Sequence, residues 1–530
     1  MVSTSPQRIV IVGAGHGGVA AATLLRREGH DGPIVVLSEE SYVPYHRPPI
    51  SKSFGGGALE QPLLTSEAAE AHEIDLRCGV EVSAIDRQNN SVVLSDGSRE
   101  PYDALVLATG ASPRRLPCDG GDVPGVTQIR TLDDGFVLRS EIRDGTRVVV
   151  IGGGWLGLEV AAAASALGAV VTVVEREDRL LARVGSPELS SRLEIWHRSR
   201  GVDVRTSTGT SQIRTGPDGR AASVLLDGGE TLDCDLVVVA IGANPATEIA
   251  RTAKLRCDTG IIVDSSGRTN DPKIFALGDV AQPEEGRRLE SIPHAANQAA
   301  AVVATLLGKD QPLAESPWFW SNQGSLRIQI AGLLDLATQS RLVVDSDDTF
   351  VVVHTDDGGL LCAVEAVGSS HAFTSACQMI SSGKSVNLQS LPGDLLPGSL
   401  QVHLESATDS PASSGGESEP TSKPSGSVLV RFVEDDGTEN AAECELNTTL
   451  MEAGVALGLP WIVGECGGNS SCGTCRVRIA SPWNELLDEA FPEEIDLLEF
   501  SGLDGPDVRL GCQIMLRQDL NGIVVGAPPG

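Results

Sequence analysis

The sequence predicts a multidomain α/β protein in which two doubly wound, parallel-sheet units precede a small α+β module carried behind a linker. Three observations predict it. A short apolar strand, a glycine turn, an alanine-rich helix and a second apolar strand follow one another from Arg8 to Leu37, and the same order returns from Arg147 to Glu175. The stretch from Ser406 to Gly426 (SATDSPASSGGESEPTSKPSG) has no apolar periodicity and is nearly all Ser, Pro, Gly, Glu and Thr, the composition of a flexible linker. Beyond it a strand-like run, Val428 to Val433, opens an acidic module with 18 Asp and Glu against 5 Lys and Arg.

In the first βαβ unit, Gly13-x-Gly15-x-x-Gly18 follows the strand Ile9 to Val12 and opens a helix that runs to about Gly29. Glycines at that spacing permit a tight turn and let the backbone approach a pyrophosphate at the helix amino terminus. Glu39 closes the second strand, Ile34 to Leu37, where a carboxylate can accept hydrogen bonds from ribose hydroxyls. Gly152-x-Gly154-x-x-Gly157 repeats the device, with Glu175 as its ribose-facing acid. A carboxylate there repels a 2'-phosphate, so the second site is expected to prefer NADH to NADPH, a preference tempered by Arg176. Spacing alone does not decide which unit holds which nucleotide.

A chain of 530 residues is too long for one hydrophobic core, and three or four domains are expected. The net charge of -32 argues against nucleic acid and anionic membranes as partners, since both reward clustered Lys and Arg; a basic protein partner fits better. Eleven cysteines, an odd number spread thinly outside one group, do not suggest a secreted disulfide framework. With no signal-like amino terminus, a cytoplasmic location is expected. The apolar run Val148 to Val174 has the length of a membrane span, but its glycines and Glu159 suit a strand, turn, helix and strand instead.

Seven further segments stand out along residues 1 to 405: Tyr45 to Lys52 (YHRPPISK), Ala108 to Gly110, Arg130 to Leu132, the Gly-Leu-Glu ending at Glu159, Ala276 to Asp279, Glu290 to Pro293 and Pro317 to Ser321 (PWFWS). Through them residues 1 to 405 resemble the FAD-dependent NADH:ferredoxin reductases of oxygenase systems, of the putidaredoxin reductase and biphenyl dioxygenase reductase type. The resemblance implies that the amino-terminal unit holds FAD and the inserted unit NADH. It implies FAD contacts at Gly17, Glu39, Lys52, Val82, Arg130, Asp279 and Ile292, with Asp279 on the ribityl chain. It further implies that Lys52 lies beside the flavin, paired with Glu159, and that Trp320 borders the nicotinamide. A cation beside the flavin stabilises the anionic ring formed on hydride transfer, and a carboxylate keeps that cation in place. Three positions depart from the family: His294 and Asn322 stand where Asn and Asp are usual, and Gly324 where Tyr is, so the flavin's rear wall is expected to differ in detail.

Flavoproteins of this architecture also include disulfide reductases, which need a reactive cysteine pair. Cys78, Cys118, Cys234, Cys257, Cys362 and Cys377 form no closely spaced pair, and with Cys444 they read as small packing residues. Cys466-x5-Cys472-x2-Cys475, with Cys512 further on, supplies the four thiolates of a [2Fe-2S] cluster, and Gly467, Gly468 and Gly473 let the loop wrap it closely. Zinc is the competing reading, but zinc prefers a second Cys-x2-Cys hook. The absence of Cys-x-His argues against a Rieske centre. This spacing, with Arg509 to Gln513 (RLGCQ), resembles the adrenodoxin and putidaredoxin type of ferredoxin, which implies a β-grasp-like fold. Between Glu485 and Glu499 the residues Glu485, Asp488, Glu489, Glu493, Glu494, Asp496 and Glu499 leave a helical face for Leu486, Leu487, Ile495 and Leu498. The resemblance implies that this acidic helix docks on basic partners.

The resulting expectation is two Rossmann-like domains, FAD at 1–111 with 245–318 and NADH at 112–244, then an α+β reductase domain at 319–405, the linker at 406–426 and the ferredoxin at 427–530. Electrons are expected to pass from NADH through FAD and the [2Fe-2S] cluster to a terminal oxygenase, a haem-thiolate monooxygenase first and a ring-hydroxylating dioxygenase second. A redox-sensing regulatory protein that keeps the same cofactors is the alternative.

Overall fold

In the computed structural model the chain folds as two compact units, residues 1–408 and 409–530. The first is described for residues 6–388, apart from 57, 311–315 and 347–348, and for 391; the second for 427–434, 438–446, 448–457, 459, 461–462, 473–487, 490, 494, 498, 505 and 507–527. The expected linker, 406–426, lies outside the described residues.

Among its described residues the first unit holds two five-stranded parallel sheets. Strands β1 (Ile9–Val12), β2 (Ile34–Leu37), β3 (Ile74–Arg77) and β4 (Ala104–Leu107) pair in the order β4-β1-β2-β3, with the strand Ile274–Ala276 added outside β4. Strands β5 (Val126–Gln128), β6 (Arg147–Ile151), β7 (Val170–Val174), β8 (Asp203–Arg205) and β9 (Leu236–Val239) pair in the order β8-β7-β6-β9-β5. The central strands, IVIV, IVVL, ALVL and LVVV, are buried along their whole length, as parallel strands covered on both faces must be. An antiparallel ladder of Ala111–Pro113 against Ala243–Pro245 carries the chain out to the second sheet and back at one place.

Each sheet has its helix at the glycine turn. Helix α1 (His16–Arg27) packs on the helix Ile292–Leu307 through small residues: a Cβ on Gly17 would lie 3.4 Å from the Ala295 side chain of that helix. Helix α2 (Trp155–Ala166) crosses β6, and α3 (Pro187–Ser199) follows β7, opened by Ser186, whose side chain accepts the Leu189 N–H at 3.1 Å.

A third, antiparallel sheet comprises β10 (Trp318–Gln323), β11 (Leu326–Gly332), β12 (Gln339–Asp345), β13 (Phe350–Thr355) and β14 (Leu361–Val367), in the order β10-β11-β14-β13-β12. Alternate residues divide its two faces. Ile328, Ile330 and Val352 join the core around Leu158 and Trp196, while Ala331, Val351 and Val353 pack under the helix Ser370–Ser381.

The second unit is a mixed five-stranded sheet of β15 (Ser427–Val433), β16 (Glu439–Glu445), β17 (Arg476–Ile479), β18 (Val508–Leu510) and β19 (Ile523–Gly526), ordered β16-β15-β19-β17-β18, with β15 and β19 parallel. Its helix Leu450–Ala456 is opened by a reciprocal Thr449 and Glu452 capping box. Among the described residues no helix is long and apolar enough to cross a membrane, and Val148 to Val174 forms the expected strand, turn, helix and strand.

Candidate functional site

One cleft of about 1370 Å³ in the first unit takes in both glycine turns and the residues between them. Gly13 and Gly152 stand at φ of 107° and 110°, a region open to glycine, and their amides donate to the Leu37 and Val174 carbonyls at 2.8 Å. Neither α1 nor α2 has a side-chain cap or an acid in its first turn, and a Cβ on Gly15 or Gly154 would meet nothing within 4 Å. Unfilled space before uncapped helix amides fits the diphosphate of a dinucleotide at each turn. Gly18 and Gly157 are a correction to the expected site. Neither lines the cleft, and a Cβ there would lie 1.9 Å and 2.1 Å from the carbonyls of Gly13 and Gly152. They hold helix to turn.

Around the first turn the cleft is lined by Gly17, exposed Glu39 at the end of β2, buried Val82, Arg130, Asp279 and Ile292. Arg130 reaches Asp279 at 3.6 Å; burial pushes the Asp279 carboxyl up, with Arg130 opposing. The sequence reading missed the neighbours of this pair. His16, inside the glycine motif, has Nε2 3.3 Å from His46 Nδ1, and burial holds it well below the usual histidine range, with His46, Arg47 and Arg130 adding to the effect. Arg47 donates to Glu40 at 2.6 Å and to the Arg130 carbonyl at 2.6 Å, and Tyr45 donates to Glu40. The signal available beforehand was the match across Tyr45 to Lys52, which marked the segment without assigning these partners.

At the second turn, Glu175 accepts the Gly153 N–H at 2.6 Å and the Glu177 N–H at 2.8 Å, so its carboxylate is held at the turn by two backbone donors. Arg176 beside it is largely exposed.

Lys52 and Glu159 meet between the turns, with Nζ 3.3 Å from Oε1. Glu159 is buried, and it accepts the Ser51 and Ser321 hydroxyls, each at 2.5 Å, so two separate segments converge on a carboxylate carried by a third. Trp320 lines the cleft, and its indole N–H has no hydrogen-bond partner among the described residues. Trp155, first residue of α2, extends the aromatic wall by packing on Phe319 at 5.1 Å between ring centroids. His294, Asn322 and Gly324, expected to alter the flavin's wall, do not line the cleft. Gly324 instead lies under Trp196, whose ring would be 3.0 Å from a Cβ at that position.

In the second unit, antiparallel β17 and β18 bring Cys475 and Cys512 to neighbouring strand ends, both buried, and the Gly511 N–H donates to the Cys475 carbonyl at 2.8 Å. The Gln513 amide donates to Cys512 Sγ at 3.4 Å, the kind of bond that stabilises a metal-bound thiolate. Gly473 stands at φ 65°, as a close wrap requires. Two buried cysteines beside a donor to sulfur fit a [2Fe-2S] cluster; Cys466, Cys472, Gly467 and Gly468 lie outside the described residues.

Two further readings of the acidic segment are corrected. Glu494 is fully buried, paired with Arg509 at 2.8 Å and accepting the Leu510 N–H at 2.7 Å, so it anchors β18 and is not a docking charge. Leu486 is 45% exposed, in a short 3-10 turn, and not on a buried helical face. Glu485 is exposed and Leu498 buried, while Asp488, Glu489, Glu493, Ile495, Asp496 and Glu499 lie outside the described residues. Among the described residues the cysteines form no disulfide, and none of them lines the cleft. Cys234 and Cys362 are buried, as expected of packing residues, whereas Cys78, Cys118, Cys257, Cys377 and Cys444 are only half-buried.

Three family models match in order along the chain: pyridine nucleotide-disulphide oxidoreductase over residues 7–299, reductase C-terminal over 318–394, and 2Fe-2S iron-sulfur cluster binding domain over 433–517. A probable ferredoxin reductase, CtmF, of Castellaniella defragrans is 39% identical over 386 residues, covering 71% of this chain and 93% of that protein. Rhodocoxin reductase of Rhodococcus erythropolis is 42% identical over 333 residues, covering 61% and 78%. The fold is similar to that in the crystal structure of the covalent putidaredoxin reductase-putidaredoxin complex, with TM-score 0.72, 34% identity and coverage of 76% of this chain and all of the matched one. With its two nucleotide turns on one cleft, its cleft free of a described cysteine pair, and an iron-sulfur domain following the reductase, the chain belongs to the pyridine nucleotide-disulphide oxidoreductase family as a FAD-dependent NAD(P)H:ferredoxin reductase joined to its own [2Fe-2S] ferredoxin domain.

Proposed function

We propose that the chain draws electrons from NADH in preference to NADPH and delivers them to a terminal oxygenase, a haem-thiolate monooxygenase first and a ring-hydroxylating dioxygenase second. The working parts are the FAD domain (1–111 with 245–318), the NADH domain (112–244), the reductase C-terminal domain (319–405) and the ferredoxin domain (427–530). When bound, FAD would supply the chemistry that joins a two-electron hydride donor to a one-electron iron-sulfur acceptor.

The chain's own residues bind and orient. Gly13, Gly15 and Gly17, with the amides opening α1, hold the FAD diphosphate, Glu39 takes the ribose, Asp279 and Arg130 hold the ribityl side, and Val82 and Ile292 bound the site. Gly152, Gly154 and Glu175 do the same for NADH, Glu175 favouring a free 2'-hydroxyl. Lys52 keeps positive charge where negative charge develops on the ring, Glu159 fixes that ammonium, and Trp320 screens the nicotinamide from water. Cys466, Cys472, Cys475 and Cys512 ligate the cluster. The reading rests above all on the single cleft, which brings both glycine turns to the Lys52–Glu159 pair.

The acceptor class is supported by the adrenodoxin-like cysteine spacing, and its basic docking face by the 18 acidic against 5 basic residues of 427–530. The test is NADH-driven product formation by purified haem-thiolate monooxygenase and dioxygenase components from the same source. Coupling to one of them, weakened by added salt, is expected; no coupling to either refutes the acceptor. The coenzyme preference is expected to narrow about tenfold, some 1.4 kcal/mol, in Glu175→Ala, and an unchanged ratio of kcat/KM refutes that role.

A further inference from the structure

The loop between β7 and α3 lines the second-turn side of the cleft through Arg176, Glu177, Leu181, Ala182, Arg183 and Val184. Three ties hold it. In its middle, the Leu181 N–H donates to the Gly153 carbonyl at 3.0 Å, and Leu181 itself stands at φ 53°, a strained region for a non-glycine residue. Within it, Arg179 donates to the Ala182 and Gly185 carbonyls at 2.9 Å and 2.8 Å and to Ser190 Oγ at 2.7 Å. At its base, the tie comes from a different sheet. The Ser186 N–H donates to Glu365 Oε1 at 2.8 Å and the Ser186 hydroxyl to Glu365 Oε2. Glu365, on β14, is completely buried, and buried His354 of β13 stands behind it with Nε2 3.2 Å from Oε2.

A buried carboxyl is destabilising unless each oxygen is satisfied, and here both oxygens are occupied by the residue that ends the loop. Glu365 does not itself touch the cleft. We propose that Glu365, oriented by His354, is a positioning residue for NAD(P)H: it holds Ser186 and thereby the loop that receives the nucleotide, so the third sheet sets the coenzyme affinity of the second turn. The proposal rests on the reading that the second turn receives NAD(P)H.

The experiment uses the full-length holoprotein and measures the Kd of NAD+ for the oxidised form by calorimetry, beside KM and kcat for NADH with ferricyanide. Glu365→Gln is expected to raise Kd and KM about tenfold, and the milder Ser186→Ala about threefold, with kcat within twofold and bound flavin unchanged. Asp345→Ala is the control. It severs the 2.8 Å Arg192–Asp345 link, which joins α3 to the same sheet away from the loop, and should leave Kd unaltered. A lowered melting temperature in Glu365→Gln and Ser186→Ala with unchanged Kd overturns the proposal, as does an equal rise in Kd in Asp345→Ala. Glu175→Ala separates the two levels: if it alone weakens NAD+ binding, the loop role fails and the second turn keeps its ligand; if none of the variants does, the second-turn reading fails as well.

Discussion

Replacing Lys52 by Met removes the ammonium beside the expected flavin position while keeping a side chain of similar length, so rate and stability should respond unequally. The ion pair spans 3.3 Å, and Glu159 keeps the two hydroxyl donors at 2.5 Å after the change. At an effective dielectric constant of about 20, the gross attraction over that distance is about 5 kcal/mol, most of it offset by desolvation of the two ions. With the hydroxyls still in place, the net stability loss should be about 1–3 kcal/mol. A preorganised charge facing developing negative charge is worth about 3–4 kcal/mol in the transition state, so flavin reduction should slow by about 10²- to 10³-fold. Glu159→Gln should show the opposite balance: both serine hydroxyls lose a charged acceptor in a buried site while the lysine remains, so stability falls further and the rate less. The assay is anaerobic stopped-flow bleaching of the flavin band by NADH, with thermal melts of the same preparations. A Lys52→Met protein that binds NADH normally and is reduced at the parent rate refutes the role of the cation.

Gly15→Ala and Gly18→Ala should separate binding from folding. The first adds a Cβ that meets no protein atom within 4 Å, so the protein should fold and lose FAD affinity by about 100-fold or more; the second puts a Cβ 1.9 Å from the Gly13 carbonyl and should yield insoluble protein. Equal flavin content in both soluble proteins contradicts the geometry. His197 tests burial by pH. Burial lowers it from 6.5 to about 4, with the Gln323 side chain opposing, so the folded state keeps it neutral while the unfolded chain protonates first. Its contribution is therefore complete above pH 6.5 and is lost as pH falls toward 4, by about 3 kcal/mol in all. The stability difference between the parent and His197→Gln should shrink over that interval, and parallel stability–pH curves refute the assignment.

Much of the first unit was legible because parallel strands buried on both faces read as unbroken apolar runs, and because glycine turns occupy few conformations. Ile9–Val12 and Arg147–Ile151 announced themselves in this way. Gly18 and Gly157 show the limit: the same motif contains glycines that face the ligand and glycines that only let helix meet strand, and spacing cannot separate them. Charge patterning misread Glu494, because an acidic run looks solvated until an arginine from another strand, Arg509, is brought against it. The clamp of Ser51 and Ser321 on Glu159 was likewise hidden, since three ordinary residues from distant segments become a site only when the third sheet is in place. The His16–His46 pair and the Glu365–Ser186 link were hidden for the same reason.

Electron flow through the cluster within one chain is tested most directly by changing a single described cluster cysteine, Cys512→Ser, and comparing two acceptors of NADH-derived electrons. Ferricyanide can be reduced from the flavin, whereas cytochrome c is expected to depend on the cluster. The two units have separate cores, so the reductase should fold and keep its flavin. The expected result is ferricyanide reduction within twofold of the parent and cytochrome c reduction down by more than about tenfold, a difference of over 1.4 kcal/mol in the path to that acceptor. Cytochrome c reduction that survives as well as ferricyanide reduction, in a protein shown to lack the cluster, contradicts the relay.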